Sequence, residues 1–440
     1  MRRLQFLQSL SIGVGMAFAT SCFAMVTGMV RASGALVIPA IMISILIAMV
    51  VAHAIGRMAK RFPSALGIRT YIKAAFGNTT SLFFVFLYLF LLALIAGIES
   101  NIYATIVQHV FPVIDGRVII VSIFLVVIVM NVFGYEFSKN AQLLMVLLML
   151  CGVFGLSFYG LAHSGLKVAA FHNTTPEQFA ALSTTIVSAF FLFVGFEWVT
   201  SSQPGTRSAA SQLPLVLLAS VLLLGCVYLA FSMVVITNLS HSELVSDDSP
   251  QMLLASKLWG VVGIWTMLAV STCAILTSFN AGVLGASRLM YSLAREGFLP
   301  RIFSTTARFS GAPVYAIATT TIMSLCSALV AFSMGNIYLL GSVAAVTICI
   351  CYSGLLSASL KLHRPNSPNP QLRTGTMRFV QLIEFFTLLL MAMLLLTLLY
   401  QGNNLFQVTI VFATIGILVL LAIFTNRNSI KPSVKVSTAP

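Results

Sequence analysis

The sequence predicts an all-α polytopic membrane protein with about twelve transmembrane helices. Of its 440 residues 59% are hydrophobic and only 8% charged, where a soluble domain carries about 25% charged residues. Apolar segments recur at close to the roughly 20 residues that cross a bilayer. The basic residues between them collect in short loops on alternate sides, the positive-inside pattern. No segment is polar enough to form a soluble domain, the longest polar stretches being 361–378 and 426–440.

The first span covers 4–30. Its start resembles a signal peptide, since Met1-Arg-Arg leads an apolar run that ends in Ala19-Thr-Ser-Cys22. The apolar run continues to Val30, however, and a second span over 35–58 follows at once. Between 61 and 77 lies a short amphipathic stretch. Pro63 starts it, Gly67 permits a turn, and Ile68, Tyr71, Ile72 and Phe76 recur at helical spacing. Spans three to five are expected over 80–111, 118–133 and 141–161, span six over 182–202 and span seven over 213–237. Spans eight to ten follow over 261–289, 312–332 and 337–360. Residues 1–363 thus form a ten-helix core, with repeats over about 4–161 and 182–360. A cytoplasmic linker over 364–378, rich in proline, precedes spans eleven and twelve (379–400 and 405–424, within a unit 379–425). The Ser/Pro/Lys tail 426–440 reads as disordered and cytoplasmic.

Charge placement tests this count. With the N-terminus inside, twenty of the 24 Lys and Arg residues fall on the inner side, and only Arg31, Arg117, Lys167 and Lys257 outside. One span more or fewer would scramble the division, so both termini are expected in the cytoplasm of a multi-pass inner (plasma) membrane protein. The formal charge of +14 is accounted for by these loops facing an anionic leaflet, and no nucleic-acid partner is expected. The seven cysteines lie in apolar segments without a CxxC and read as small buried residues. No HExxH, phosphate loop or Ser/His/Asp grouping occurs, so neither enzyme nor metal centre is expected, and no cofactor.

Two spans carry polar interruptions. In span one Ala19, Thr20, Ser21, Cys22 and Phe23 place four small residues in a row, with Thr27 and Gly28 a turn later. Such a segment opens a helix and frees N–H groups for a carboxylate, or lets neighbouring helices pack closely. In span six the run Phe191-Leu-Phe193-Val194-Gly195-Phe196-Glu197 puts a helix-breaking glycine beside an acid. Irregular backbone at membrane depth is tolerated only where it is buried in protein or lines a cavity. An intramembrane carboxylate costs about 2.5–3.5 kcal/mol on insertion scales, which makes it a functional candidate by default. Glu197 is read as a proton-coupling group, with an interhelical hydrogen bond as the bland alternative. Phe193 and Val194 offer carbonyls to an ammonium, and the phenylalanines a cover. Glu99 in span three binds a cation, takes the coupled proton or locks span three to a neighbour. Span eight offers Ser271, Thr272, Thr277, Ser278 and Asn280, and Glu384 in span eleven reads as an interfacial anchor. Spans one and six are five helices apart, which fits an inverted-repeat transporter that binds its cargo between two discontinuous helices. A non-transporting or channel-like subunit is the alternative, but the polar residues cluster at two breaks rather than along a pore.

Three stretches resemble the amino acid–polyamine–organocation superfamily of permeases. Arg61-Phe-Pro-Ser-Ala-Leu-Gly-Ile-Arg-Thr-Tyr running to Ala75-Phe-Gly77 is similar to the family's RFPSAGG loop. Phe193-Val-Gly-Phe-Glu197 is similar to its F-x-GFE in helix six, and Ser287-Arg to Ala294-Arg-Glu-Gly-Phe-Leu-Pro300 to its SR…ARDG-x-LP. Asn131, Gly134 and Ser138 fall where the family has an N-x-x-G…S linker. The resemblance implies inverted five-helix repeats with discontinuous helices 1 and 6, two trailing helices, alternating access, and an amino acid or related amine as cargo. It also implies that Ala19 to Phe23 cradle the substrate carboxylate, that Phe191 stands near an aromatic gate, and that Glu197 serves coupling by proton, ion or exchange. The chain departs from the pattern at Ala19 and Ser21, which replace both glycines of a GSG segment. Leu66 and Arg69 replace a glycine and a tyrosine, Gln203 stands where an acidic pair is usual, and Met149 stands at the helix-five position of a sodium-mimicking lysine.

Overall fold

The computed structural model describes residues 2–64, 66–165, 175–202, 207–247, 249–335, 337–363, 375–401 and 405–427. Gln203, Lys167, the linker from 364 to 374 and the tail from 428 lie outside them. Every element among the described residues is helical. The first expected span falls on α1 (Arg2–Ala17) and α2 (Ser21–Ser33), and a 3₁₀ turn leads into α3 (Val37–Arg61). The amphipathic stretch is α4 (Ile68–Phe76), set between Gly67 and Gly77, which both hold positive φ. Spans three to five are α5 (Asn78–Val110), α6 (Gly116–Val132) and α7 (Tyr135–Ser164). A short α8 (Pro176–Ala180) precedes span six, which is divided into α9 (Leu182–Phe191), a 3₁₀ turn over Phe196–Trp198 and α10 (Val199–Ser202).

Next come α11 (Arg207–Asn238), the short α12 (His241–Ser246) and α13 (Pro250–Arg295). The last spans are α14 (Val314–Met334), α15 (Ile337–Leu362), α16 (Gly375–Gln401) and α17 (Leu405–Arg427). Among the described residues, eight apolar stretches meet the length and composition of a membrane span, and four shorter apolar helices accompany them. Helix α13 starts eleven residues before the expected span eight, and non-helical backbone at Gly260 bends it (φ 58°, ψ −137°). Its first turns therefore form a separate segment before the apolar rod.

Packing places α1 at the centre, against α7, α11, α13 and the 3₁₀ turn of span six. Helices α3 and α11 pack closely because Gly56 leaves room for the Pro214 ring, which a Cβ there would meet at 2.9 Å. Glu384, expected as an interfacial anchor, has its carboxylate inside the protein. It is 1% exposed and pairs with Arg57 of α3 at 2.6 Å, with the Ser359 hydroxyl donating to the same carboxylate at 3.2 Å. This pair ties α16 to the core. The end of α17 is held separately, by Asn78 donating to Asn426 at 2.9 Å and Asn426 donating to Thr79 at 2.8 Å.

Candidate functional site

Span one opens at Phe18-Ala19-Thr20. The turn is closed by the Cys22 amide donating to the Ala19 carbonyl at 3.0 Å and the Phe23 amide donating to that of Thr20 at 3.3 Å. The Thr20 hydroxyl turns away to donate to the Ser271 carbonyl of α13 at 2.9 Å. Span six opens after Phe191. Two tightened bonds, Phe193 to Phe190 and Val194 to Phe191, both at 3.1 Å, lead to Gly195 in the left-handed region (φ 115°). Only glycine holds that conformation without a steric cost. A Cβ on Gly195 would also stand 3.1 Å from the carbonyl carbon and oxygen of Met16. The two breaks therefore touch, the end of α1 lying against the turn in span six.

Tyr228 of α11 joins them. Its hydroxyl donates to the Leu192 carbonyl at 2.8 Å and reaches that of Ala17 at 3.3 Å, and Cys22 Sγ lies 3.4 Å away. The Phe18 ring stacks on Tyr228 at 5.7 Å between centroids, and Phe193 meets it edge-on at 5.4 Å. A helix that stops early leaves carbonyls without intrahelical partners. One fully buried phenol supplies a donor to both ends.

The two acids flank this junction. Glu197 is fully buried, and its Oε2 accepts from the Tyr352 hydroxyl of α15 at 2.7 Å and from the Gly195 amide at 3.1 Å. Its Oε1 has no hydrogen-bond partner among the described residues. Glu99 of α5 is 3% exposed, and its Oε1 lies 3.5 Å from the Ser21 hydroxyl at the start of α2. The Ser278 hydroxyl donates to the Met16 carbonyl at 3.3 Å. A buried ionised group without matched donors is expensive, so a cation or a proton at these carboxylates is the chemistry the arrangement accommodates.

The expected residues divide into two groups. Ala19, Thr20, Ser21, Cys22, Val194, Gly195, Glu197 and Glu99 are buried at or beside the breaks. Phe193 and Phe196 are fully buried too, on Tyr228 and Tyr352 respectively. Phe23 instead packs on Phe18 and Phe231, at 5.3 and 5.1 Å between centroids, within an apolar cluster. Phe191 is half-buried at the margin of the core. Asn280 is committed to a polar lattice, accepting from Asn131 at 3.0 Å and Ser138 at 2.8 Å and donating to Gln142 at 2.8 Å. No sequence motif marks Tyr228 or Tyr352. The signal available was a tyrosine inside an otherwise apolar span, since a buried phenol hydroxyl usually has a partner.

The chain is similar to the aromatic amino acid transport protein AroP of Corynebacterium glutamicum, at 25% identity over 444 residues, covering 96% of this chain and 94% of that protein. L-asparagine permease 1 of Mycobacterium bovis is 23% identical, covering 88% of this chain and 82% of its own length. The crystal structure of the Eremococcus coleocola manganese transporter in complex with an aromatic bis-isothiourea substituted compound matches with a TM-score of 0.61. It shares 13% identity, and the match covers 97% of this chain and 94% of that one. At that identity the likeness shows the fold alone. These relatives are transporters, not enzymes. From residue 4 to residue 423 the chain matches the amino acid permease family, and with that match it belongs to the family.

Proposed function

We propose that the chain is a secondary active transporter that moves an amino acid or related amine by alternating access. The core would be two inverted five-helix repeats in the inner (plasma) membrane, with both termini cytoplasmic. The observation that carries the reading is the contact between the two broken spans, with Gly195 against Met16 and Tyr228 bonded across both helix ends. The start of α2 presents its dipole to a carboxylate, and the carbonyls freed in span six present theirs to an ammonium. Ala19 to Phe23, Phe191 and Phe193 to Phe196 are the proposed lining. The relatives include proteins named for aromatic amino acids, for asparagine and, in Arabidopsis thaliana, for cationic amino acids.

Glu197 is the proposed coupling group because its charge state acts directly on the break. As a carboxylate, Oε2 accepts from both Tyr352 and Gly195. A proton on that oxygen removes acceptor capacity and weakens the bond that holds the left-handed turn. Glu99, with Oε1 beside Ser21 and Oε2 without a hydrogen-bond partner among the described residues, is the proposed second charge-handling group. Protein reconstituted in sealed vesicles should show saturable uptake of at least one amino acid or amine. A thermal-shift screen of purified protein should find the same compound stabilising. Absence of stabilisation by every amino acid and polyamine, together with linear uptake, overturns the reading.

A further inference from the structure

A second polar concentration lies away from the paired breaks, below the inner half of span six on the face where α1 begins. A cavity of about 10 Å³, enough for one water-sized occupant, is lined by Arg69, Tyr88, Trp198 and Ser201 with apolar walls from Leu66 and Phe84. The Arg69 side chain is fully buried, with its Nη1 donating to Glu296 at 2.7 Å and the Phe298 ring 5.0 Å from its guanidinium carbon. Its Nε and Nη2, and the hydroxyl of the buried Tyr88, have no hydrogen-bond partner among the described residues. Glu296 also faces Lys73 at 3.8 Å, so one carboxylate answers two cations.

A buried guanidinium with two unused donors, a neighbouring phenol and one excess positive charge recognises a small anion. A water molecule would satisfy the donors and leave the charge. The position links this site to span six. A Cβ on Gly67, in the loop that leads into α4, would lie 2.6 Å from Thr200 Oγ1 and 2.9 Å from Ser201 Oγ. The loop thus rests on the end of span six, and any displacement of that end enlarges or closes the cavity.

We infer that Arg69 and Tyr88 form an anion-binding station at the inner end of span six, filled by a free halide or by one carboxylate oxygen of a departing substrate. The carboxylate source rests on the transport reading; the halide source does not. The test uses purified full-length protein and its unfolding midpoint in chloride, acetate or gluconate at equal ionic strength, gluconate being too bulky to reach into so small a cavity. Chloride, acetate or both should raise the midpoint above gluconate. The apparent affinity should fall about tenfold in Tyr88→Phe and be lost in Arg69→Gln, as expected for removing hydrogen bonds to a charged group. A response to chloride without acetate assigns the site to a free halide, and a response to acetate assigns it to carboxylate chemistry. The inference is overturned if neither anion acts on the wild type, or if wild type and Tyr88→Phe respond equally. Either overturning result leaves saturable uptake intact, so it is distinct from failure of the transport reading.

Discussion

The Tyr352 hydroxyl donates to Glu197 Oε2 at 2.7 Å, and the same oxygen accepts the Gly195 amide at 3.1 Å. One carboxylate oxygen thereby joins span ten to the left-handed turn that interrupts span six. Glu197→Gln replaces the acid with a group of equal size that carries no titratable proton. Transport by this variant should lose its dependence on pH from acid to neutral, while Tyr352→Phe should keep a pH dependence with a displaced midpoint. Parallel pH profiles for wild type and Glu197→Gln would make the acid structural.

Gly195→Ala meets two obstacles at once, the positive φ and the Met16 backbone at 3.1 Å. A non-glycine residue held in such a conformation costs about 1–3 kcal/mol. The expected outcome is a lower unfolding midpoint and loss of substrate-induced stabilisation. Ala at Gly416, where a Cβ meets nothing within 4 Å, should leave both unchanged.

Tyr228→Phe keeps the ring contacts with Phe18 and Phe193 and removes the donor shared by Ala17 and Leu192. Leaving a buried carbonyl unpaired costs about 1–3 kcal/mol. Stability should fall by that order, and the affinity for substrate measured by equilibrium binding should fall with it. An unchanged affinity would remove Tyr228 from the account of the site.

Near the start of α13, Lys257 pairs with Glu243 of α12, which also accepts from the Ser240 amide. The Lys257 hydrogen bond, followed by that of Ser240, holds the Glu243 carboxyl down at about 2 from an ordinary 4.5. A depressed value stabilises the fold above the unfolded-state pKa, and that contribution is lost as pH falls from 4.5 towards 2. The difference in unfolding midpoint between wild type and Glu243→Gln should therefore be constant at neutral and mildly acid pH and shrink only below 4.5. Transport changes near neutrality should be the same in both proteins.

Glu384→Leu strands Arg57 beside Ser359, whereas the double variant Arg57→Leu with Glu384→Leu removes both charges. The single change should cost about 3–5 kcal/mol and the double change less, the usual behaviour of a buried pair. Unfolding midpoints of wild type, the two single variants and the double variant form the cycle. A double variant weaker than the single one would show that packing, not charge, dominates there.

Much of this fold was legible because lipid imposes a simple rule. A chain that must satisfy every backbone group inside a bilayer writes its spans as long apolar runs. The break in span six was legible at Gly195 and Glu197, a flexible residue and an acid where neither is cheap. The break in span one was fainter, since Ala19 to Cys22 suit close packing as well as unwinding. The early start of α13 was hidden because Pro250, Gln251, Ser256 and Lys257 interrupt the apolar run there, and the bend depends on one glycine. Tyr228, Tyr352 and the Arg57–Glu384 pair are contacts between residues far apart in sequence, and no local pattern announces such partners. Arg69 was visible as a departure from a family motif, but its burial against Glu296 was not.

The two trailing helices hang from different parts of the core. Helix α16 is fastened to span two through Arg57 and Glu384, while α17 is fastened to the start of span three through Asn426. Any sliding of span two against span three must pull on this strap. In the proposed alternating-access cycle, the length of this strap would limit how far the two can travel, giving a pair of helices outside the proposed site a say in the stroke.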